Sequence, residues 1–479
     1  MTGSEFIGVS DPMGGWNWDE LENYQNRVNL VLVLDHGGRA GSNFFQCLFD
    51  NHSSFVVSPL IHYVYSSWVR VFGDARMVDS KEAHRFVSAL SYSRLLYQEP
   101  VGDIGKIIYK IGGDPAAPFD RVKFRELIDA VFERQETVTR KEAILWTYAA
   151  YALVRGFSLD EITLIGINDA VSLASEDMLS GFAGCIIDYA ADDFPDLINL
   201  ALVRDPRAQF ASTRHQMVNE FGNNYMISFG NWWAAFSKLW KDNFSLEHGP
   251  AHFCSVYQYA AFIALVRKWQ ENRGSWYFIR NEDINTNFVS TMMSLCDLLG
   301  IQPDRAWLSD NNYTVTMLGR PWAGTGAYSN RYQEVGDGPI PNDSDDVSAK
   351  AIGPNRYVTE RWKSRIPACE KLLLDSLFYE EISVFEYEFS SDLINQPEKL
   401  PVAAVWSAYA GEVPNTNWLL KPNKVFERLF YLVSFMPFYG LARIKLMKLY
   451  NRNRFFSQFD FMDIFKKKAV FVRGGKKFD

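Results

Sequence analysis

The stretch VNLVLVLDHGGRAGSNFF, residues 28–45, joins an apolar run to a glycine-rich turn and then to a second apolar run. Residues 27–35 are short, rich in β-branched side chains and apolar on both faces, which is typical of a central strand in a parallel sheet. Residues 42–52 have the pattern of a helix, with Ser42 near its N-terminus. A glycine-rich turn between such a strand and helix commonly holds an anion.

The composition of this turn excludes the two commonest nucleotide-binding patterns. An ATP-binding loop needs G-x-x-x-x-G-K-[ST], but Gly41 is followed directly by Ser42 and the turn holds no lysine. The dinucleotide pattern G-x-G-x-x-G is also absent. What remains is Arg39 beside free backbone N–H groups and the small polar side chains of Ser42 and Asn43, which together favour an oxyanion. The alternative is an ordinary helix start with incidental glycines.

A second stretch, LVRDPRAQFASTRHQ at residues 202–216, has a similar arrangement. Arg204 ends a predicted strand, Asp205 is a suitable helix cap, and Pro206 suits the first helical turn. Ser212 follows within the predicted helix. Ligands of open α/β sheets bind beyond the carboxyl ends of the strands. Two anion-binding turns at these ends suit a ligand with phosphates at both of its ends. The alternative is an arginine paired with Asp205 and a buried serine.

Strand patterns also occur at residues 161–169 and 275–284, and they alternate with helical patterns along most of the chain. This alternation predicts an α/β fold, a three-layer sandwich around a central parallel sheet. Residues 60–160 are predicted to be mostly helical. Within them Thr139 and Glu142 have the spacing of a capping box. The sequence shows no internal repeat.

The predicted organisation has three parts. Residues 1–26 form an N-terminal tail, residues 27–395 form the α/β domain with residues 60–160 as a helical insertion, and residues 396–479 form a basic helical C-terminal extension. The insertion is expected to cover the acceptor side of the site.

The overall composition excludes several classes of protein. An apolar fraction of 47% over 479 residues is enough for a large core, and a net charge of −8 argues against a general nucleic-acid binder. No signal-peptide pattern and no apolar run of membrane-spanning length is present, so a cytoplasmic location is expected. The cysteines have no metal-site or redox spacing and are expected to be reduced, and no ligand cluster implies a metal ion. They are Cys47, Cys185, Cys254, Cys296 and Cys369.

The C-terminal stretch differs from the rest of the chain in charge. Residues 421–479 contain 14 Lys and Arg against 4 Asp and Glu, although the whole chain is acidic. Residues 429–442 are an apolar run that is interrupted by Pro437 and is too short to span a bilayer. An apolar run beside clustered Lys and Arg favours peripheral attachment to an anionic membrane surface. The alternative is a helical appendage that packs on the domain.

Taken together, the two anion motifs resemble those of sulfotransferases that use 3′-phosphoadenosine 5′-phosphosulfate (PAPS). Residues 37–57 are similar to the family's 5′-phosphosulfate loop, in the form seen in carbohydrate 6-O-sulfotransferases, and residues 202–212 are similar to its 3′-phosphate motif. Weaker similarities follow in the family's order, at residues 276–301, 319–326 and 361–387. The resemblance therefore extends from residue 28 to about residue 388, although residues 60–160 have no recognised counterpart.

The resemblance implies a sulfotransferase fold with a P-loop-like sandwich, PAPS as co-substrate, and no required metal ion. By position it assigns the 5′-phosphosulfate to Arg39, Ala40, Gly41, Ser42, Asn43 and Phe44. It assigns the 3′-phosphate to Arg204 and Ser212, and it places Trp322 and Gly324 near the adenine or the 3′-phosphate. Three positions depart from the family pattern: Asn43 replaces a Ser or Thr, Ser58 replaces the glutamate of a Glu-Pro pair, and residues 166–169 are unlike the bacterial members.

Sulfuryl transfer resembles phosphoryl transfer, in which catalysis is mainly positioning and neutralisation of charge. Arg39 is expected to stabilise the leaving phosphate and the sulfuryl oxygens, because its planar fork binds an anion in two directions. The acceptor hydroxyl also needs a general base, and the candidates are His36, His62 and Asp169. Each has a structural alternative, as a strand-end hydrogen-bond donor, a member of an aromatic cluster or a cap, and the choice stays open.

The expected function is transfer of a sulfuryl group to a hydroxyl of a carbohydrate or glycoconjugate. Alternatives are a lipid or a small phenolic or alcohol acceptor, or an inactive module that binds PAPS or its product PAP. A nucleotide kinase would depend on ATP and magnesium, and the missing loop lysine argues against it.

Overall fold

The centre of the structure, a computed structural model, is a six-stranded sheet in which all hydrogen-bonded neighbours are parallel. The strands are β1 (Asn29–Asp35), β2 (Phe55–His62), β3 (Met77–Asp79), β4 (Thr137–Thr139), β5 (Leu164–Asn168), β6 (Ile198–Val203), β7 (Ser275–Arg280), β8 (Thr316–Met317), β9 (Arg320–Pro321) and β10 (Val470–Val472). Their order in the large sheet is β10-β7-β6-β1-β5-β2, and the pairs β3–β4 and β8–β9 are antiparallel.

The helices follow the strands along the chain. They are α1 (Trp18–Arg27), α2 (Ser42–Leu48), α3 (Val64–Phe72), α4 (Ser80–Ala89), α5 (Arg94–Tyr97), α6 (Arg121–Glu133), α7 (Arg140–Val154), α8 (Ile186–Asp193), α9 (Pro206–Gln216), α10 (Asn281–Thr286), α11 (Phe288–Leu299), α12 (Arg305–Ser309), α13 (Tyr357–Glu360), α14 (Trp362–Arg365), α15 (Tyr379–Val384) and α16 (Phe461–Lys468). The residues described are 15–35, 38–90, 94–101, 104–105, 108, 111–169, 186–216, 262, 265–271, 273–309, 313–322, 324, 353–366, 371, 374–375, 378–390 and 461–473.

Strand β1 lies in the middle of the sheet because its side chains are apolar on both faces. Its residues from Leu30 to Leu34 are fully buried, and the strand pairs with β5 on one side and with β6 on the other. The chain crosses from β1 to β2 through α2 in one direction along the sheet, and from β5 to β6 through α8 in the other. Right-handed crossovers therefore place these two helices on opposite faces. The predicted α/β fold with a central parallel sheet is confirmed.

Local signals in the sequence located several elements well. Helix α9 begins at Pro206, and the Asp205 carboxylate accepts the N–H of Arg207 at 2.9 Å, as expected of a cap. At the start of α7, the side chains and backbone of Thr139 and Glu142 form the predicted capping box. These signals depend on contacts within one turn of chain, which is why the sequence alone reveals them.

The segment predicted as mostly helical, residues 60–160, also contains strand. Strand β2 extends to His62, and the short strands β3 and β4 pair with each other. Their hydrogen bonds are reciprocal: the N–H of Ser80 binds the carbonyl of Glu136, and the N–H of Arg140 binds the carbonyl of Arg76. The two strands with their following helices share the pattern V-x-x-K-E-A, at residues 78–83 and 138–143. This shared pattern marks two similar strand-to-helix junctions that pair with each other.

The end of the chain belongs to the same sheet as its beginning. Strand β10 pairs in parallel with β7, and helix α16 buries Met462 and Phe465. The sheet therefore extends beyond residue 395, the predicted limit of the domain. Residues 396–460 and 474–479 of the predicted extension lie outside the described residues. Among the residues that are described, no helix is long and apolar enough to cross a membrane.

The packing of Phe465 tests whether the C-terminal segment contributes to the core. Its ring is fully buried and meets the rings of Phe278 and Trp269 edge-on, at centroid distances of 5.0 and 4.9 Å. We expect Phe465→Ala to lower the free energy of unfolding by about 3–5 kcal/mol, because a buried ring is lost and a cavity is left. Urea unfolding measures this change. Ile464→Ala, at a neighbouring side chain that is 45% exposed, is the matched control. Equal effects of the two variants would contradict this packing.

Candidate anion-binding site

A cavity lies beyond the carboxyl ends of the adjacent strands β1 and β6, where an open α/β sheet commonly binds ligands. Its volume is about 90 Å³, which is small for a whole ligand and suits one tetrahedral group. The residues that line it are Asp35, Arg39, Gly41, Ser42, Asn43, Phe44, Arg204, Ser212, Asn281, Trp322, Val358 and Arg361. The glycine-rich turn and the second motif therefore meet in one place.

The turn is folded around the carboxylate of Asp35, the last residue of β1. Asp35 Oδ1 accepts the N–H of Ala40 at 3.0 Å, and Oδ2 accepts the hydroxyl of Ser42 at 2.8 Å. Between them, Arg39 has a backbone φ of +65°, in the left-handed region. The N–H of Ala40 and the hydroxyl proton of Ser42, two donors that the sequence assigned to the phosphosulfate, are thus engaged by Asp35.

Gly41 is the residue at which the turn becomes a helix, and its position disfavours a side chain. Its φ is +99°, and an added Cβ would lie 2.3 Å from Nδ2 of Asn281, which directly follows β7. Asn281 is itself buried and accepts hydrogen bonds from the Asn285 amide through its backbone and side-chain oxygens. The positive φ of Gly41 and the close approach of the buried Asn281 side chain, at the start of α10, therefore favour glycine at position 41.

The second motif clamps the backbone of the turn. Arg204 Nη1 donates to the carbonyl of Arg39 at 2.9 Å, and Gln209 Nε2 donates to the carbonyl of Gly38 at 3.3 Å. In the other direction, Arg39 Nε donates to the hydroxyl of Ser212 at 3.1 Å. The residues predicted to hold opposite ends of a ligand are thus in direct contact, and they form one pocket rather than two separate corners.

The charge of the pocket favours an anion. Three arginines line it, Arg39, Arg204 and Arg361, against the single carboxylate of Asp35. Arg204 is 5% exposed, and its Nε is buried without a hydrogen-bond partner although Nη1 and Nη2 are bound. An unsatisfied buried donor of this kind costs about 1–3 kcal/mol, and an oxyanion in the cavity is a suitable acceptor for it.

Asp205 pairs with Arg207 rather than with Arg204. Arg207 Nη2 lies 2.7 Å from Asp205 Oδ2, and its Nη1 lies 2.7 Å from Asp375 Oδ1, so one buried arginine forms ion pairs with two carboxylates. The alternative in which Asp205 neutralises the predicted phosphate-binding arginine is therefore wrong. Arg204 keeps its charge available to the cavity.

Glu282, at the start of α10, lies outside the cavity lining and holds the backbone next to Arg204. Its carboxylate accepts the N–H of Asp205 at 3.1 Å and the hydroxyl of Tyr387 at 3.0 Å. Burial raises the pKa of Glu282, and the nearby Asp205 raises it further, whereas Arg204 lowers it. Glu282 thus fixes the backbone that carries Arg204 without lining the cavity.

The apolar wall of the cavity comes from two distant segments. Trp322 Nε1 donates to the carbonyl of Ile111 at 2.9 Å, and its ring lies 5.9 Å from that of Phe44, between centroids. Gly324 lies against Gly112 of the insertion. A Cβ added to Gly112 would lie 2.4 Å from the carbonyl oxygen of Gly324. Trp322 and Phe44 line the cavity, whereas Gly324 lies beside the wall and is not among the lining residues.

The three predicted general bases have different positions. Asp169 is fully buried and accepts the N–H of Ser66 at 3.0 Å in the first turn of α3, outside the lining of the cavity. His62 ends β2 opposite Asn168, and its side chain lies outside the described residues, as does the whole of His36. Ser58, one of the departures from the family pattern, is fully buried, and its carbonyl accepts the Gln46 amide. Ser58 is not among the residues that line this cavity.

Sequence reasoning did not single out four of the lining residues: Asp35, Asn281, Val358 and Arg361. Asp35 had a signal, since it stands at the carboxyl end of a predicted strand. Asn281 lay inside the predicted strand 275–284, whose residues after Arg280 belong to α10 in the structure. Arg361 had none, because it reaches the cavity from a short helical turn near the end of the domain.

No protein-family model matches the chain, and no curated protein sequence matches it. Among solved structures, it is similar to the sulfotransferase domain from the curacin biosynthetic pathway, at 12% identity over 76% of this chain and 98% of that chain, with a TM-score of 0.37. It is also similar to the sulfotransferase domain from the Synechococcus PCC 7002 olefin synthase, at 16% identity over 75% and 94% of the two chains, with a TM-score of 0.36. Likeness at this level assigns no activity to the chain.

Gly41 and Gly38 provide a paired test of the turn. Both have positive φ, but an added Cβ meets Asn281 only at Gly41 and meets nothing within 4 Å at Gly38. We expect Gly41→Ala to abolish binding of inorganic sulfate and to lower the thermal unfolding midpoint. Gly38→Ala should show only the backbone cost of about 1–2 kcal/mol. Sulfate titration and thermal unfolding of both variants measure these effects, and equal behaviour would contradict the close contact with Asn281.

Proposed function

We propose that the protein is a sulfotransferase that moves a sulfuryl group from PAPS to an acceptor hydroxyl. The observation that carries the proposal is the convergence of Arg39, Arg204 and Ser212 on one cavity. These residues come from the two motifs that resemble the 5′-phosphosulfate loop and the 3′-phosphate motif of that family. The missing loop lysine argues against ATP as the ligand.

The described residues fit the anionic groups of the donor. Arg39, Gly41 and Asn43 would hold the 5′ end, and Arg204 and Ser212 would hold the 3′-phosphate. The Nε–H of Arg204 has no hydrogen-bond partner and would donate to that phosphate. A cavity of about 90 Å³ accommodates one end of such a molecule. Binding both phosphates therefore requires the Arg39–Ser212 hydrogen bond to open.

In this assignment Arg39 neutralises charge on the leaving phosphate and on the sulfuryl oxygens as the bond to sulfur breaks. Its backbone carbonyl is held by the hydrogen bond from Arg204, so the turn that carries its side chain is in place before any ligand arrives. Such preorganisation lowers the cost of ordering the site during the reaction.

We propose a carbohydrate or glycoconjugate hydroxyl as the acceptor, with the insertion at residues 60–160 as its cover. Contact between Ile111 of the insertion and Trp322 of the cavity wall supports this placement. A lipid, a phenol or a simple alcohol is an alternative acceptor. An inactive PAP-binding module would bind the nucleotide without turnover of any of them.

Calorimetric titration with PAP tests the nucleotide. We expect wild type to bind PAP in preference to ATP, and Arg204→Ala to raise the Kd for PAP by at least about 30-fold, equivalent to about 2 kcal/mol, because a buried charged donor is lost. Arg204→Lys keeps the positive charge but loses the planar guanidinium donors, so its Kd for PAP should lie between those of wild type and Arg204→Ala. Arg76→Ala, at an arginine whose side chain is 64% exposed and pairs with Asp192, is the control. Equal affinity for PAP and ATP would refute the assignment.

We also propose that residues 421–479 hold the protein at an anionic membrane surface, at the cytoplasmic face. In helix α16 the side chain of Phe465 is buried, whereas Lys466, Lys467 and Lys468 are exposed. Ile464 and Val470 beside them are 45% and 46% exposed. An exposed combination of lysines and apolar side chains favours an anionic lipid surface.

Co-sedimentation with liposomes tests this surface at low salt. We expect Lys467→Glu/Lys468→Glu to reduce binding to phosphatidylserine-containing vesicles by about 30-fold or more, because each basic residue near such a surface contributes about 1 kcal/mol. Lys81→Glu/Lys123→Glu, at exposed lysines of the insertion, makes the same change in net charge elsewhere. Equal losses would mean that only net charge matters. A wild-type protein that ignores these vesicles would refute the proposal.

A further inference from the structure

Asp35 is the only carboxylate among the residues that line the described cavity. We propose that Asp35 is the general base that takes the proton from the acceptor hydroxyl. This assignment rests on the proposed sulfotransferase function and adds a residue that the two family-like motifs do not supply.

The position of Asp35 is fixed by the centre of the fold. It is the last residue of β1, the strand that lies between β5 and β6, and it is 4% exposed. Its Oδ1 and Oδ2 are each held by the turn, through the N–H of Ala40 and the hydroxyl of Ser42. These two hydrogen bonds orient the carboxylate at the wall of the cavity.

The surroundings of Asp35 are those of a reacting centre. Arg39, which is placed to neutralise the sulfuryl and leaving-group oxygens, lines the same cavity, as do Arg204 and Arg361. A general base must lie within hydrogen-bond reach of the hydroxyl that it deprotonates. An acceptor oxygen that reaches the sulfur atom at Arg39 is therefore brought to the cavity that Asp35 lines.

The other described acids near this edge of the sheet serve different purposes. Asp169 caps α3, and Glu282 holds the backbone of Asp205 and the hydroxyl of Tyr387; neither lines the cavity. Among the described residues, Asp35 thus combines basicity with a place in the cavity wall.

The step balances with groups already named. The acceptor oxygen forms a bond to sulfur as the bond between sulfur and the bridging phosphate oxygen breaks, and the electron pair of that bond stays on the phosphate. The proton of the acceptor hydroxyl moves to Oδ2 of Asp35 and is released to water afterwards. Ser42, whose hydroxyl donates to Oδ2, is a positioning residue for this transfer.

The test uses water as the acceptor, because release of inorganic sulfate from PAPS needs no knowledge of the natural substrate. Asp35→Asn is the informative variant: its amide oxygen still accepts the N–H of Ala40 and its amide nitrogen faces the oxygen of Ser42, but the group is no longer a base. We expect kcat for sulfate release to fall by about 10²- to 10⁴-fold. The Kd for PAP, measured by calorimetry, should stay within about threefold of wild type.

Two further measurements separate catalysis from support of the turn. The kcat of wild type should decline at acid pH as its base is protonated, and the residual kcat of Asp35→Asn should lack that decline. Asp120→Asn is the matched control, because that exposed carboxylate also accepts a backbone N–H, from Lys123 at 2.9 Å, far along the chain in the insertion. It should leave sulfate release and PAP affinity unchanged.

Three results would overturn the assignment. Sulfate release by Asp35→Asn at the wild-type rate would exclude a proton-accepting role. Loss of PAP affinity in Asp35→Asn, as in Asp35→Ala, would show that the carboxylate only supports the turn. A selective loss of kcat in His36→Ala or His62→Ala, with Asp35→Asn unaffected, would assign the base to histidine. Failure of wild type to bind PAP would instead refute the proposed function on which the assignment rests.

Discussion

The hydrogen bond from the Arg204 guanidinium to the backbone carbonyl of Arg39 is the shortest of those that join the two halves of the site. These residues are 165 positions apart, yet the bond is 2.9 Å long and partly buried. A buried guanidinium needs acceptors, and a turn with positive φ needs external support, so each satisfies a requirement of the other. The cavity exists because this contact places the second motif against the glycine-rich turn.

Buried ion pairs fix the elements around that contact. Arg207 pairs with Asp205 and Asp375, Arg140 of the insertion pairs with Asp193 of α8, and Arg155 pairs with Asp50 beyond α2. Removing one partner of such a pair leaves an uncompensated buried charge, which costs about 3–5 kcal/mol. The insertion is therefore tied to the helices that border the sheet, and the carbonyl of its Ile111 accepts a hydrogen bond from Trp322 in the wall of the cavity.

The carboxylate of Asp35 gives the site a dual character. It accepts hydrogen bonds from two donors of the turn, the N–H of Ala40 and the hydroxyl of Ser42. It also lines the cavity together with three arginines, whose positive charge favours an anionic ligand. The same carboxylate therefore organises the turn and lies in the wall of the cavity, which is the basis for testing its structural and chemical roles separately.

The sequence by itself determined the strand, turn and helix at residues 28–45, the capped start of α9 and the parallel sheet, because these follow from patterns within a few residues. It also singled out Arg39, Arg204 and Ser212. Only the tertiary structure decided that these three share one cavity, that Asp35, Asn281 and Arg361 line it, and that β10 completes the sheet. Those facts depend on contacts between segments far apart in the chain, and local periodicity carries no information about which segments meet.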